Sequence, residues 1–188
     1  MSTPLRWIPN AISLARISLV PMVIASIAEA RFTLAVSLFF AAGFSDGIDG
    51  FLARRFNWRS ELGAILDPIA DKLLLIGTFC VLAYAGLVPM WFAAIVVGRD
   101  LLIMGGAITY HFLYGDLEGR PSIVSKINTV LLLLYVVAVL LLSTGIASLP
   151  GDLNGQMPVV LMWMLVVTMT VSTLGYVVEW IQRAARHQ

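Results

Sequence analysis

Apolar residues in this chain gather in six stretches, at positions 10–28, 32–53, 62–85, 89–113, 123–144 and 157–181, separated by short polar connections. Each is close to the roughly 20 mostly apolar residues that carry an α-helix across a bilayer. Turn signals fall where stretches stop: Ala85-Gly86 after the third, and a run of Pro, Gly, Asp and Asn at 150–155 before the sixth. No linker, repeat or low-complexity tract interrupts the pattern. Residues 1–188 therefore read as a single all-α integral membrane domain, six transmembrane helices in one bundle.

Composition agrees. The chain is 60% hydrophobic and 12% charged, where a soluble domain carries about 25% charged residues, and its mean hydropathy is +0.92. A net charge of +1, with no clustered basic face, gives no nucleic-acid partner. The single Cys80 excludes an internal disulfide and reads as a small buried hydrophobe. Ala28-Glu29-Ala30 has the small-x-small form of a signal-peptide cleavage site. Arg16 would interrupt the apolar region of such a peptide, so the first stretch reads as a retained helix.

Positive charges set the orientation. Arg6, the Arg54, Arg55 and Arg59 group, Arg120, Lys126, Arg183 and Arg186 share one side if six helices span, and the opposite loops offer Arg31. By the positive-inside rule both termini and the arginine-rich second loop are cytoplasmic. In a bacterial cell that is the cytoplasmic (inner) membrane.

Five aspartates lie inside these stretches, and four of them, Asp46, Asp49, Asp67 and Asp71, crowd the second and third. A carboxylate at membrane depth costs several kcal/mol, so such groups mark binding or chemistry. On helices, Asp46 and Asp49 are i,i+3 and Asp67 and Asp71 are i,i+4, so each pair follows one face. At about 1.5 Å per residue both pairs lie roughly 7 to 12 Å below the cytoplasmic end of their helix. Four carboxylates at close range repel unless some are protonated or cations neutralise them. Two divalent cations, Mg2+ or Mn2+, whose shells accept carboxylate and phosphate oxygens, are the economical answer.

Small residues surround the acids. Gly43 and Gly47 fit helix packing through small-xxx-small faces, whereas Gly50 and Gly63 fit either packing or close approach of backbone to a ligand. Pro68 removes a backbone donor beside Asp67. Asn10, Ser13 and Arg16 recur along one face of the first helix. Asn10 and Ser13 read either as a cap with an interhelical hydrogen bond or as ligand contacts. Arg99 and Lys126 have two readings each: cations for an anionic ligand, or an internal pair with Asp100 and a snorkelling interface lysine. Lys72 turns about 100° away from Asp71 and reads as a structural partner, and Glu61 suits the start of the third helix.

Asp46, Asp49, Gly50, Ala53, Arg54, Gly63, Asp67 and Asp71 together fit Asp-x2-Asp-Gly-x2-Ala-Arg-x8-Gly-x3-Asp-x3-Asp throughout. This resembles the signature of the CDP-alcohol phosphotransferases, membrane enzymes that move a phosphatidyl or phospho-alcohol group from a CDP-linked donor to a hydroxyl and release CMP. The resemblance implies that Asp46, Asp49 and Asp67 hold the metals, and that Asp71 contacts metal and is the base taking the acceptor's proton. It also implies that Asn10, Ser13, Arg16, Gly50, Ala53, Arg54 and Gly63 bind the CDP donor, and that the protein is a homodimer.

Within the family, Ser60-Glu61-Leu62-Gly63-Ala64-Ile65-Leu66-Asp67-Pro68, Arg99-Asp100-Leu101-Leu102-Ile103 and Ser125-Lys126-Ile127-Asn128-Thr129 look more like the eukaryotic-type cardiolipin synthases, which join CDP-diacylglycerol to phosphatidylglycerol. Phosphatidylglycerophosphate synthases, which use glycerol 3-phosphate, show Arg-Glu and Gly-Lys-x-Lys-Thr at the last two places, and the second lysine is absent here. Arg99 and Lys126 are the candidate acceptor contacts. A small cation or proton transporter is the alternative from another class, since acid-lined helices also build ion pathways. It lacks the internal symmetry that many transporters carry.

Overall fold

A computed structural model of the chain describes the backbone of residues 8–56, 61–114, 123–146 and 153–186, and the side chains of 12–45, 69–106, 109, 125, 127–146 and 155–178. Among the described residues there are six helices and no strand: α1 (Ile8–Ala28), α2 (Phe32–Phe56), α3 (Glu61–Tyr84), α4 (Met90–Tyr114), α5 (Ile123–Ser143) and α6 (Leu153–Arg186). The hydrophobic pattern located all six. It undershoots α6 at both ends, because apolarity marks only the membrane-like part of a helix that continues into polar residues such as Asn154, Gln156, Glu179 and Arg183.

Local chemistry ends the helices where the sequence breaks. After α1, Ala30 takes a left-handed φ of 56°, its N–H bonds Ile27 O and the Arg31 N–H bonds Ser26 O. This is the Schellman cap, with alanine where glycine is usual. The small-x-small triplet at 28–30 is thus a helix stop. After α3, Gly86 (φ 73°) fills the same position, the Leu87 N–H bonding Leu82 O. Hydroxyls inside the helices donate back to the preceding turn, as Ser18 does to Leu14 O, Ser26 to Met22 O and Thr170 to Val166 O. Such bonds are what an apolar surrounding demands of a polar side chain.

Two compact units are present. The first comprises residues 1–87 with 139–147. In it α1 packs against both α2 and α3, presenting one continuous buried stripe of Ser13, Arg16, Val20, Val23 and Ile27. Ala35, Phe39 and Ala42 of α2 and Leu74, Phe79 and Leu82 of α3 complete that core. Gly77 lets α1 and α3 close up: a Cβ there would stand 2.8 Å from Ile24 Cδ1. Gly43, by contrast, is exposed, and among the described residues a Cβ on it meets nothing within 4 Å.

The second unit, residues 88–138 with 148–188, joins α4 to α6. Phe92 and Tyr135 meet edge to face at 5.2 Å, and Trp91 and Trp163 lie 5.9 Å apart. Met162, Leu165, Met169 and Ser172 form the inner stripe of α6, while Val160, Trp163, Val167, Val171, Leu174 and Val178 form an equally apolar outer one. A helix apolar on both faces is a membrane helix or a deeply buried one. Here the outer stripe is exposed, as on a membrane helix. Among the described residues Gly155–Val178 is long and apolar enough to cross a bilayer, with mean hydropathy 1.9, and Ile12–Ala28, Phe32–Ser45 and Ile127–Ser143 are shorter apolar helical stretches. Cys80 corrects the sequence reading: it is exposed on α3, because in a chain with apolar outer faces hydrophobicity does not imply burial.

Candidate active site

The four motif aspartates belong to the first unit, Asp46 and Asp49 on α2, Asp67 and Asp71 on α3. Both segments are helical through the motif, so the i,i+3 and i,i+4 spacings hold on the backbone. The side chains of Asp46, Asp49, Gly50, Ala53, Arg54, Gly63 and Asp67 lie outside the described residues, as do those of Asn10 and Lys126. Among described side chains no group of three or more His, Cys, Asp or Glu gathers.

Asp71 is described, and its surroundings are specific. Arg16 reaches it from α1, donating from Nη1 to Asp71 Oδ1 at 2.9 Å. The two partners differ in access. The Arg16 side chain is 0% exposed, that of Asp71 47%. Positive charge therefore sits behind the carboxylate, inside the packing of α1 with its neighbours, while the carboxylate opens outward. Ser13 lies on the same stripe one turn earlier, also fully buried, and Lys72 is half-buried. The resemblance implies a donor contact for Arg16; in the structure its buried guanidinium meets Asp71.

The second unit holds a different polar cluster. Arg99 Nη1 donates to Asp100 Oδ1 at 2.8 Å, and Nη2 to Ser172 Oγ of α6 at 3.1 Å. Both charged residues are buried, so the internal pair that the sequence allowed is present. On α5, Asn128 Oδ1 accepts from Thr168 Oγ1 of α6 at 3.1 Å. Among the described residues Arg99 Nε and Asn128 Nδ2 are buried donors with no hydrogen-bond partner, an uncommon condition for a folded protein. An open groove of about 370 Å³ between α4 and α6 is lined by Ile95, Gly98, Arg99, Met169 and Thr173 among others. Sequence reading passed over Thr168 and Ser172. Their i,i+4 spacing within an apolar helix was the available signal.

Carboxylate oxygens of the kind Asp71 presents suit a hard divalent cation. At Asp71 the carboxylate is outward-facing.

The model of the CDP-alcohol phosphatidyltransferase family matches residues 6–181. A human cardiolipin synthase (CMP-forming) is 35% identical over 147 residues, covering 70% of this chain and 49% of the human one. The cardiolipin synthase (CMP-forming) of Streptomyces coelicolor is 35% identical over 153 residues, 76% of this chain and 69% of its own. The rice chloroplastic CDP-diacylglycerol–glycerol-3-phosphate 3-phosphatidyltransferase 1 is 30% identical over 192 residues, 93% of this chain and 57% of its own. The chain thus spans about half the length of the human relative.

Proposed function

The chain belongs to the CDP-alcohol phosphatidyltransferase family, and on that premise we propose that it is a cardiolipin synthase, transferring a phosphatidyl group from CDP-diacylglycerol to a hydroxyl of phosphatidylglycerol. The observation that carries the reaction is the outward-facing Asp71, the last residue of the eight-position motif, held from behind by Arg16. The acceptor is supported by the cardiolipin synthases among the relatives and by the missing second lysine after Lys126. Glycerol 3-phosphate is the second reading, favoured by the 93% coverage of this chain in the match to the rice enzyme.

The chemistry follows from the groups. Asp71 takes the proton of the acceptor hydroxyl as that oxygen forms a bond to the phosphorus carrying diacylglycerol. The P–O bond to the bridging oxygen breaks, and the electron pair leaves with CMP. A base must stand within hydrogen-bond reach of the proton it removes. The half-exposed carboxylate of Asp71 is open to such an approach. Asp46, Asp49, Asp67 and Asp71 would hold two divalent cations, Mg2+ or Mn2+, which when bound offset the charge developing on the leaving phosphate. Asn10, Ser13, Gly50, Ala53, Arg54 and Gly63 are proposed for the donor. Arg99, whose Nε has no partner among the described residues, and Lys126 are proposed for the acceptor's phosphate.

The setting is proposed with the reaction. Six spans, cytoplasmic termini and a site opening to the cytoplasmic side of the inner membrane are supported by the charge distribution and by the exposed apolar stripes. A homodimer rests on the resemblance. The match to a phosphatidyltransferase family model over residues 6–181 favours the transferase over the transporter reading.

A mass-spectrometric product assay on purified protein tests the acceptor. CDP-diacylglycerol with Mg2+ or Mn2+ is offered phosphatidylglycerol or glycerol 3-phosphate in separate reactions. CMP with cardiolipin from the first is the expected result. Phosphatidylglycerophosphate from the second alone assigns the sister reaction.

A further inference from the structure

We propose that Arg16 is a positioning residue that aims Asp71, and not a ligand of the donor's phosphates. The inference rests on the reaction proposed above and departs from the donor-site role that family resemblance implies for Arg16.

Access carries the argument. A phosphate arriving at the site meets the Asp71 carboxylate, which is 47% exposed, whereas the Arg16 side chain behind it is 0% exposed. Val20 and Val23 continue the buried stripe beyond Arg16, and Ser13 precedes it. The guanidinium thus offers no exposed surface to an arriving phosphate, whereas the carboxylate it holds does. Its contact with Asp71 is short, 2.9 Å from Nη1 to Oδ1, and joins residues 55 positions apart. A guanidinium N–H donates along a direction fixed by its plane, so it holds the carboxylate oxygen it meets more narrowly than a lysine's rotating ammonium does. Buried ion pairs contribute little net stability, so stability alone is a weak reason to keep this one. Orientation is a stronger reason, because a base misplaced by about 1 Å loses on the order of 10²-fold in rate.

The test uses the full chain with its lipids and Mn2+. Arg16→Gln and Arg16→Lys are compared with wild type for kcat, for the KM of CDP-diacylglycerol, and for CMP affinity by calorimetry. For a positioning residue, Arg16→Gln lowers kcat by about 10²-fold while donor KM and CMP affinity stay near wild type, and Arg16→Lys recovers part of the loss. A tenfold or larger weakening of CMP and donor binding with kcat retained overturns the proposal and makes Arg16 a phosphate ligand. If Arg16→Gln does not fold, Arg16→Lys carries the same comparison. Thermal midpoints of Arg16→Gln, Asp71→Asn and the double variant give a readout independent of turnover. Losses that fail to add support the coupling, and additive losses overturn it. A wild-type protein that releases no CMP with any acceptor overturns the reaction itself, and with it the catalytic purpose of the pair; the thermal cycle then still decides whether the two side chains are coupled.

Discussion

Asp71→Asn leaves a folded protein that turns over about 10²–10⁴-fold more slowly, the usual worth of a positioned general base. Asparagine matches aspartate in shape and keeps an oxygen for the Arg16 Nη1 donor now at 2.9 Å. It lacks the basic oxygen that takes the acceptor's proton. The side chain is 47% exposed, so the change strands no newly buried group, and any thermal loss comes from weakening the charge-assisted bond to Arg16. Metal affinity falls less than turnover does, because Asp46, Asp49 and Asp67 keep their carboxylates. Saturating kinetics with both substrates, a Mn2+ titration and a thermal melt on one preparation separate these effects. Normal turnover would remove Asp71 as the base. Lost turnover with lost Mn2+ binding would instead make it chiefly a metal ligand.

What the sequence disclosed follows from where each signal resides. Helices announce themselves through long apolar runs, and the acids at 46, 49, 67 and 71 stand out because charge inside such runs is costly. Both signals are local in the chain. Pairings across helices are not: nothing in the sequence joins Arg16 to Asp71, Arg99 to Ser172 or Asn128 to Thr168, since each needs one helix seated against another. The neighbouring Arg99 and Asp100 could be anticipated as a pair, and they form one. Hydropathy also misleads about side when the outer face is as apolar as the inner one. Cys80 shows this, facing outward where burial was expected. The Schellman cap at Ala30 shows another limit, since the same three small and polar residues fit a cleavage site and a helix stop.

Asp46→Ala and Asp67→Ala abolish metal-dependent CMP release, and their effect on stability reverses with the metal. Each removes one oxygen donor from the proposed cation site. Mn2+ affinity should therefore fall by more than the roughly 10–100-fold that losing an outer-shell partner costs. Donor affinity falls with it, because phosphate oxygens complete the shell of a hard cation. Without metal the same substitutions relieve repulsion among close carboxylates, so in chelator the variants melt at or above the wild-type midpoint. In Mn2+ at about 100 times its dissociation constant, wild type gains roughly 2.7 kcal/mol from binding to the folded state alone, and the variants gain far less. Thermal melts with and without Mn2+, set beside calorimetric titrations, measure this crossover. Unchanged Mn2+ curves would withdraw Asp46 and Asp67 as ligands. Variants less stable than wild type even in chelator would show that these carboxylates hold the helices together through protein partners, and that the cluster exists for packing before chemistry.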